Sequence, residues 1–294
     1  MAQHTYPGHT LIGNVETTKR KAKNEVIRQL KQGREPARDA ESWLIRFQGR
    51  YLPQYWIVLL VKKNTTLKAV DSALRDIWLE CCGHLSAFTI YGDEYVSFPD
   101  DEFGGMSMNA RLGSLLSVGL EGEYLYDFGD TTYLTFKVLD IVPFSPKGRK
   151  SIELVAQNDP PDIRCSICGE PATEICTECL YNDVEDPFFC DTCFEEHECD
   201  EEMSLPVVNS PRMGQCAYGV GDELFGNRSA PPSPILTECQ SSTPFFLKQP
   251  HTTVRSLSCR ALGAEREVPG REIGDGRSAP LSYSQGVIRK NISL

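Results

Sequence analysis

The spacing of one set of cysteines constrains this chain more than any other feature. Cys165-Ser-Ile-Cys168, Cys176-Thr-Glu-Cys179 and Cys190-Asp-Thr-Cys193 are three C-x-x-C units, and His197-Glu-Cys199 follows them. Two intervening residues let both thiolates reach one ion from a single tight turn, and four soft or borderline ligands complete the tetrahedron that zinc prefers. The ligands Cys165, Cys168, Cys176, Cys179, Cys190, Cys193, His197 and Cys199 therefore predict about two Zn2+ ions. A lone C-x-x-C can be a redox pair, whereas three in tandem with a His–Cys pair point to metal. The pairs can be used in sequence or crossed, the first with the third and the second with the fourth. Short intervals between the pairs favour the crossed form. Only one residue separates His197 from Cys199, so the second site is the weaker, with Cys216 as its substitute ligand. Four protein ligands leave no open position for water or substrate, which marks structural zinc.

Compartment agrees with spacing. Met1 to Arg20 contains no apolar run of signal-peptide length, and no segment approaches the roughly 18 apolar residues of a membrane span. The expectation is a cytoplasmic protein without membrane association, in which 12 cysteines stay reduced. A net charge of −11 argues against a surface that coats nucleic acid. Asp183, Glu185, Asp186, Asp191, Glu195, Glu196, Glu198, Asp200, Glu201 and Glu202 crowd the last ligands with no Lys or Arg among them. Such a module is not a DNA-reading finger; its acids serve solubility or dock a basic partner. The run Lys19, Arg20, Lys21, Lys23, Arg28, Lys31, Arg34 and Arg38 is a solvated helix face or arm, with a nucleic-acid contact as the alternative.

Residues 1–42 read as a basic polar leader with a short helix through Asn24 to Gln32. In residues 43–158 the run Tyr55 to Val61 suits a buried strand. Asn64-Thr-Thr66 then caps an amphipathic helix reaching Cys82, whose stripe is Leu67, Val70, Leu74, Ile77, Trp78 and Cys81. Ser86 to Ile90 and Glu94 to Phe98 read as strands, and Met108 to Val118 as a second helix. Glu123 to Tyr126 and Tyr133 to Leu139 form a hairpin across Asp127-Phe-Gly-Asp130, and Ser151 to Ala156 adds a strand. This predicts an α+β fold: a small mixed or antiparallel sheet packed by one long amphipathic helix. A zinc-stabilised module at 162–215 and a disordered tail at 226–294 complete the organisation.

Leu74-Arg-Asp-Ile-Trp78-Leu-Glu-Cys-Cys-Gly-His84-Leu-Ser-Ala-Phe88, Leu112-Gly-Ser-Leu-Leu116 and Tyr124-Leu-Tyr-Asp-Phe-Gly-Asp130 stand out as motifs. With them, residues 50–157 resemble the plasmid pRiA4b ORF-3-like family, also labelled transposon-passenger TnpR-like. Val207-Val-Asn-Ser-Pro-Arg-Met-Gly214 is similar to members with cysteine-rich extensions. The resemblance implies a compact α+β domain without an established activity, associated with mobile elements by gene neighbourhood. It supplies no recombinase nucleophile.

The chain is thus expected to be a non-enzymatic zinc-binding adaptor for a protein partner, with no catalytic residue and no cofactor besides zinc. The rival is a hydrolase or nucleic-acid-processing enzyme using His84 with Asp127 and Asp130, joined by Cys81 or Cys82 as nucleophile. Each residue also has a structural reading: Cys81 as core, His84 as a helix-end cap, and the aspartates as turn formers.

Overall fold

The computed structural model describes residues 5–37, 41–100, 104–216 and 218–219. The basic segment expected to be a leader enters the domain: β1 (Pro7–Thr10), β2 (Glu16–Thr18) and α1 (Ala22–Gly33). Strands β3 (Ser42–Gly49) and β4 (Trp56–Lys62) lead to α2 (Leu67–Leu74), which continues as a π-helical turn over Arg75–Leu79. Next come β5 (Ser86–Ile90), β6 (Asp93–Val96), β7 (Met106–Ser107), α3 (Leu112–Leu115), β8 (Glu121–Tyr126), β9 (Thr132–Val142) and β10 (Ile152–Asn158).

These strands form one ten-stranded sheet in the order β2-β1-β10-β4-β3-β9-β8-β5-β6-β7. The β6–β7 pair is parallel and the other neighbours are antiparallel. The expectation of a small sheet packed by one long amphipathic helix is therefore overturned. The central strands explain why. Trp43, Ile45, Phe47, Ile57, Leu59 and Val61 point into one core with Leu67, Val70 and Leu74 of α2. Leu44, Trp56, Val58 and Leu60 point to the opposite face, against Ala22, Val26 and Leu30 of α1. A strand covered on both faces needs apolar residues at every position, which accounts for the unbroken run through Tyr55 and Val61. A single covering helix cannot produce that pattern.

The basic character of α1 hides a narrow stripe, Ala22, Val26 and Leu30, spaced by one helical turn each and fully buried. Its charges lie along the edges of that stripe. Arg34, just past the helix, makes a two-pronged ion pair with Glu153 of β10 at 2.6 and 2.8 Å. Lys23 meets Asp140 of β9 at 2.9 Å.

Helix α2 starts where its sequence predicts. The Thr66 Oγ1 accepts a hydrogen bond from the Ala69 N–H at 3.3 Å. It stops short of Cys82 because the ladder widens: the Glu80 N–H reaches the Arg75 carbonyl at 3.0 Å, and Glu80 turns to extended backbone. The wider turn buries both Trp78 and Leu79, which are 2% and 0% exposed. The predicted helix from Met108 to Val118 shrinks to the single turn of α3. The hairpin of β8 and β9 forms as expected, with Tyr126 opposite Thr132.

The second part of the chain carries β11 (Glu174–Cys176), α4 (Thr177–Tyr181), β12 (Phe188–Phe189), α5 (Asp191–Glu195) and β13 (Ser204–Pro206), with a 3-10 turn at Glu201–Met203. Its three strands pair in the order β12-β11-β13 over a small core of Ile163, Ile175, Leu180, Phe188 and Leu205. The tail at 226–294 lies outside the described residues.

Leu30→Ala should lower the unfolding free energy by about 2–5 kcal/mol, the usual range for a fully buried leucine. Urea denaturation measures this, and an unchanged midpoint would return α1 to the solvent.

Candidate metal centres

Each C-x-x-C unit is set by local backbone geometry. The first lies in a tight turn closed by the Gly169 N–H on the Cys165 carbonyl at 3.0 Å, with Gly169 at φ 77°. The second spans the end of β11 and the first turn of α4. There the Cys176 sulfur caps the helix and accepts from the Cys179 N–H at 3.4 Å. In the third, Cys190 precedes α5 and Cys193 lies within it. His197 and Cys199 follow that helix.

The structure groups the first unit with the third, and the second with the His–Cys pair. The ligand atoms of Cys165, Cys168, Cys190 and Cys193 all lie within 4.8 Å of one another, as do those of Cys176, Cys179, His197 and Cys199. This is the crossed arrangement. A tetrahedron with sulfurs about 2.3 Å from its centre has edges of about 3.8 Å, and a sulfur–nitrogen edge of about 3.6 Å. The Cys168 and Cys190 sulfurs are 3.6 Å apart. Cys179 lies 3.8 Å from the Cys199 sulfur and 3.3 Å from His197 Nε2. Both groups could hold a metal ion. His197 is also positioned from behind, its ring 4.3 Å from that of Phe189.

The thiols influence one another strongly. Burial pushes the Cys165 thiol up, yet the backbone N–H groups of Cys168, Cys190 and Ile167 outweigh it and bring it down to about 6. Hydrogen bonding to Cys168 and Cys190 raises Cys193. Burial and the neighbouring Cys176 and Cys179 push Cys199 up to about 12. Crowded thiolates cannot all carry charge on their own, and a bound cation reverses that balance.

A third group was not predicted: Cys81, Cys82, His84 and Cys216 also lie within 4.8 Å of one another. Cys216 is thus not placed as a substitute for the His197–Cys199 half. It reaches the turn after α2 because residues 207–216 lie against the sheet domain. Arg212 in this segment is fully buried. It donates to Asp127 Oδ2 at 2.8 Å, to Thr132 Oγ1 and the Asp130 carbonyl at 3.0 Å each, and to Cys81 Sγ at 3.4 Å. The Tyr126 ring is flanked by Arg212 and Arg75 at 4.8 and 4.7 Å. Ser210 donates to the Trp78 carbonyl at 2.7 Å. The segment's text, Ser210-Pro-Arg-Met-Gly214, stands out in the sequence, but nothing in its composition shows that the arginine is buried.

The predicted acid–base set is only partly assembled. His84 Nε2 lies 3.4 Å from Asp127 Oδ2. That carboxylate also accepts from the Gly129 N–H at 2.9 Å, the turn role expected of it. Burial pushes Asp127 up, but hydrogen bonds from Arg212 and Gly129 and the charges of His84 and Arg212 hold it below the usual carboxylate range. A carboxylate so engaged is a weak base. Asp130 is exposed and contributes its backbone carbonyl. A concavity lined by Tyr6, Gln54, Ile163, Asp186 and Phe188 contains none of the three. Among the described residues, no helix is long and apolar enough to cross a membrane.

No protein family matches the chain, and no curated protein does. Among solved structures it is similar to a protein of unknown function, MM3350 from Methanosarcina mazei Go1. The identity is 20%, over 40% of this chain and 69% of that one, with a TM-score of 0.36.

Arg212→Met should destabilise the protein by about 3–5 kcal/mol, because it leaves Asp127 buried without its cation. Thermal denaturation with Arg212→Lys beside it separates charge from geometry: Lys should recover only part of the loss, since one ammonium cannot reach partners on two loops at once.

Proposed function

We propose that this chain is a zinc-binding adaptor without catalytic chemistry, in which two structural Zn2+ ions fold residues 165–199 into a rigid acidic docking surface. The observation that carries this reading is the crossed grouping of eight ligands into two closed sets of four. Neither set leaves an open position for substrate. Magnitudes favour metal as the folding agent. Seven buried apolar side chains, Ile163, Ile175, Leu180, Phe188, Phe189, Phe194 and Leu205, contribute about 1.5–3 kcal/mol each, whereas backbone ordering costs about 1–2 kcal/mol for every residue of the module. Structural zinc adds on the order of 10–16 kcal/mol.

The surface supports the docking role. Asp183, Glu185, Asp186, Asp191, Glu195, Glu196, Glu198, Asp200, Glu201 and Glu202 are all exposed. Ile167, Tyr181 and Val184 stand out among them, with exposures of 64%, 82% and 48%. Exposed apolar residues on a module whose run from Asp183 to Glu202 is charged only by acids fit a basic protein segment with apolar anchors. The resemblance of residues 50–157 to the pRiA4b ORF-3-like family fits the same reading, as a passenger of mobile elements without enzymatic chemistry of its own.

Elemental analysis of reduced, freshly purified protein should find zinc, and Cys168→Ser and Cys179→Ser should each remove one equivalent. Because thiolate and imidazole ligands bind protons in competition with metal, lowering the pH or adding a chelator should unfold the module. The ten-stranded sheet should keep its own melting transition. Zinc-free protein with an intact module would overturn the reading.

A further inference from the structure

We infer that Cys81, Cys82, His84 and Cys216 form a third zinc site, a clasp that fastens the chain leaving the zinc module onto the sheet domain. The inference rests on the zinc chemistry of the proposed function but concerns residues outside the module. Its geometry matches the other two groups. The Cys82 and Cys216 sulfurs are 3.6 Å apart, and Cys216 Sγ lies 3.6 Å from His84 Nε2. These are close to the sulfur–sulfur and sulfur–nitrogen edges of about 3.8 and 3.6 Å expected around one zinc ion. Bonded sulfurs would be about 2.05 Å apart, so the pair is at ligand distance and not disulfide distance.

The backbone on both sides is shaped to present these ligands. The π-helical turn ends at Leu79, Glu80 is extended, and Gly83 at φ 72° reverses the chain so that Cys82 and His84 face the same point. Glu80 holds that turn, accepting from the Gly83 N–H at 2.5 Å and from Arg75 at 3.0 Å. On the other side Cys216 sits at φ 52°, a left-handed conformation that a non-glycine residue adopts at a cost. Two residues earlier, Gly214 at φ 76° packs where a Cβ would meet Ile175 and Leu180 of the module at 2.9 Å each. The segment is therefore seated against the module at Gly214, against the sheet domain at Arg212, and at the cluster through Cys216.

The surroundings suit a metal–thiolate site. Arg212 donates to Cys81 Sγ, and Tyr126 OH lies 4.0 Å from the same sulfur. The Arg212 hydrogen bond supports the negative charge of a thiolate ligand, while the Tyr126 hydroxyl donates to Glu80 Oε1. Asp127, whose Oδ2 lies 3.4 Å from His84 Nε2, is already held by Arg212 at Oδ2 and by the Gly129 N–H at Oδ1, and so stands beside the ligand set. Three ligands come from one turn and the fourth from 132 residues away from His84. An ion there would close a long loop, the arrangement in which a cross-link restricts the unfolded chain most.

The test uses the full chain, purified anaerobically with reductant and measured for zinc by elemental analysis. Three equivalents are expected, one for each group. Cys216→Ser and His84→Ala should each lower the count by one, and Cys168→Ser and Cys179→Ser should do so independently. Cobalt substitution should give a tetrahedral thiolate spectrum whose Cys3His component falls by half in Cys216→Ser, because Cys176, Cys179, His197 and Cys199 form the other Cys3His set. Cys216 is exposed, so its substitution leaves the core intact, and cleavage within 207–216 by added protease should become faster. Two zinc ions that persist unchanged in Cys216→Ser would overturn the clasp and leave the module reading standing. A Cys82–Cys216 disulfide in freshly isolated protein would also overturn it. Absence of zinc from every form would overturn both.

Discussion

The burial of one guanidinium organises the part of the molecule where function is sought. Arg212 has no exposed surface, and an arginine cannot shed its charge, so the fold must surround it with acceptors. They come from the Asp127–Thr132 turn of the β8–β9 hairpin and from Cys81 just past the π-helical turn. Tyr126 adds its ring face. One side chain thereby fixes the end of α2, the hairpin turn and the segment after the cysteine-rich module relative to one another. The same contacts bring His84, Cys81 and Cys82 within reach of Cys216.

A second polar network prepares the ground beneath it. Asp71 in α2 accepts from Ser86 Oγ at 2.6 Å, from Tyr124 OH at 2.7 Å and from Arg75 at 2.9 Å. Arg75 continues to Glu80 and to the His84 carbonyl at 2.7 Å. Burial and the Asp71 charge hold the Tyr124 hydroxyl well above its usual range, so it stays a donor. With every member paired, such a network specifies geometry instead of weakening the core. Its effect is to hold the turn from Glu80 to His84 in one shape, which a metal site requires and a flexible loop would not supply.

What was legible in the sequence follows from what is local. The two four-ligand groups of the module could be read from spacing because C-x-x-C geometry is decided within a turn, and the crossed pairing because the intervals are short. Strands β4, β5, β8 and β9 announced themselves by composition. The width of the sheet did not: β3, whose text Ser42-Trp-Leu-Ile-Arg-Phe-Gln-Gly49 is apolar at nearly every position, was passed over, and α1, expected as a short helix through Asn24 to Gln32, was assigned to a polar leader because of its charges. Both errors have one origin. Leu44 of β3 and the Ala22, Val26 and Leu30 stripe of α1 meet on the second face of the sheet, and neither reads as core until both faces are known to be covered. The group at Cys81, Cys82, His84 and Cys216 was hidden for a different reason, since it joins residues whose separation in sequence carries no periodicity.

His84 stands in the corner of the chain that most resembles a catalytic site. Its ring stands edge-on to Tyr126 with centroids 5.8 Å apart, and its Nε2 lies between a carboxylate and a thiol, a placement that in isolation suggests a base with its orienter. The surrounding charges do not favour it. Asp127 is lowered in basicity by Arg212, and the Cys82 thiol is pushed up to about 12 by burial and by the adjacent Cys216 and Cys81, the opposite of what a nucleophile needs. A thiol held back from ionisation, with two further cysteines and an imidazole beside it, gives up its proton to a divalent cation more readily than to a substrate. That is ligand behaviour, and it suits the inferred clasp, in which this corner would hold the chain leaving the cysteine-rich module to the sheet domain.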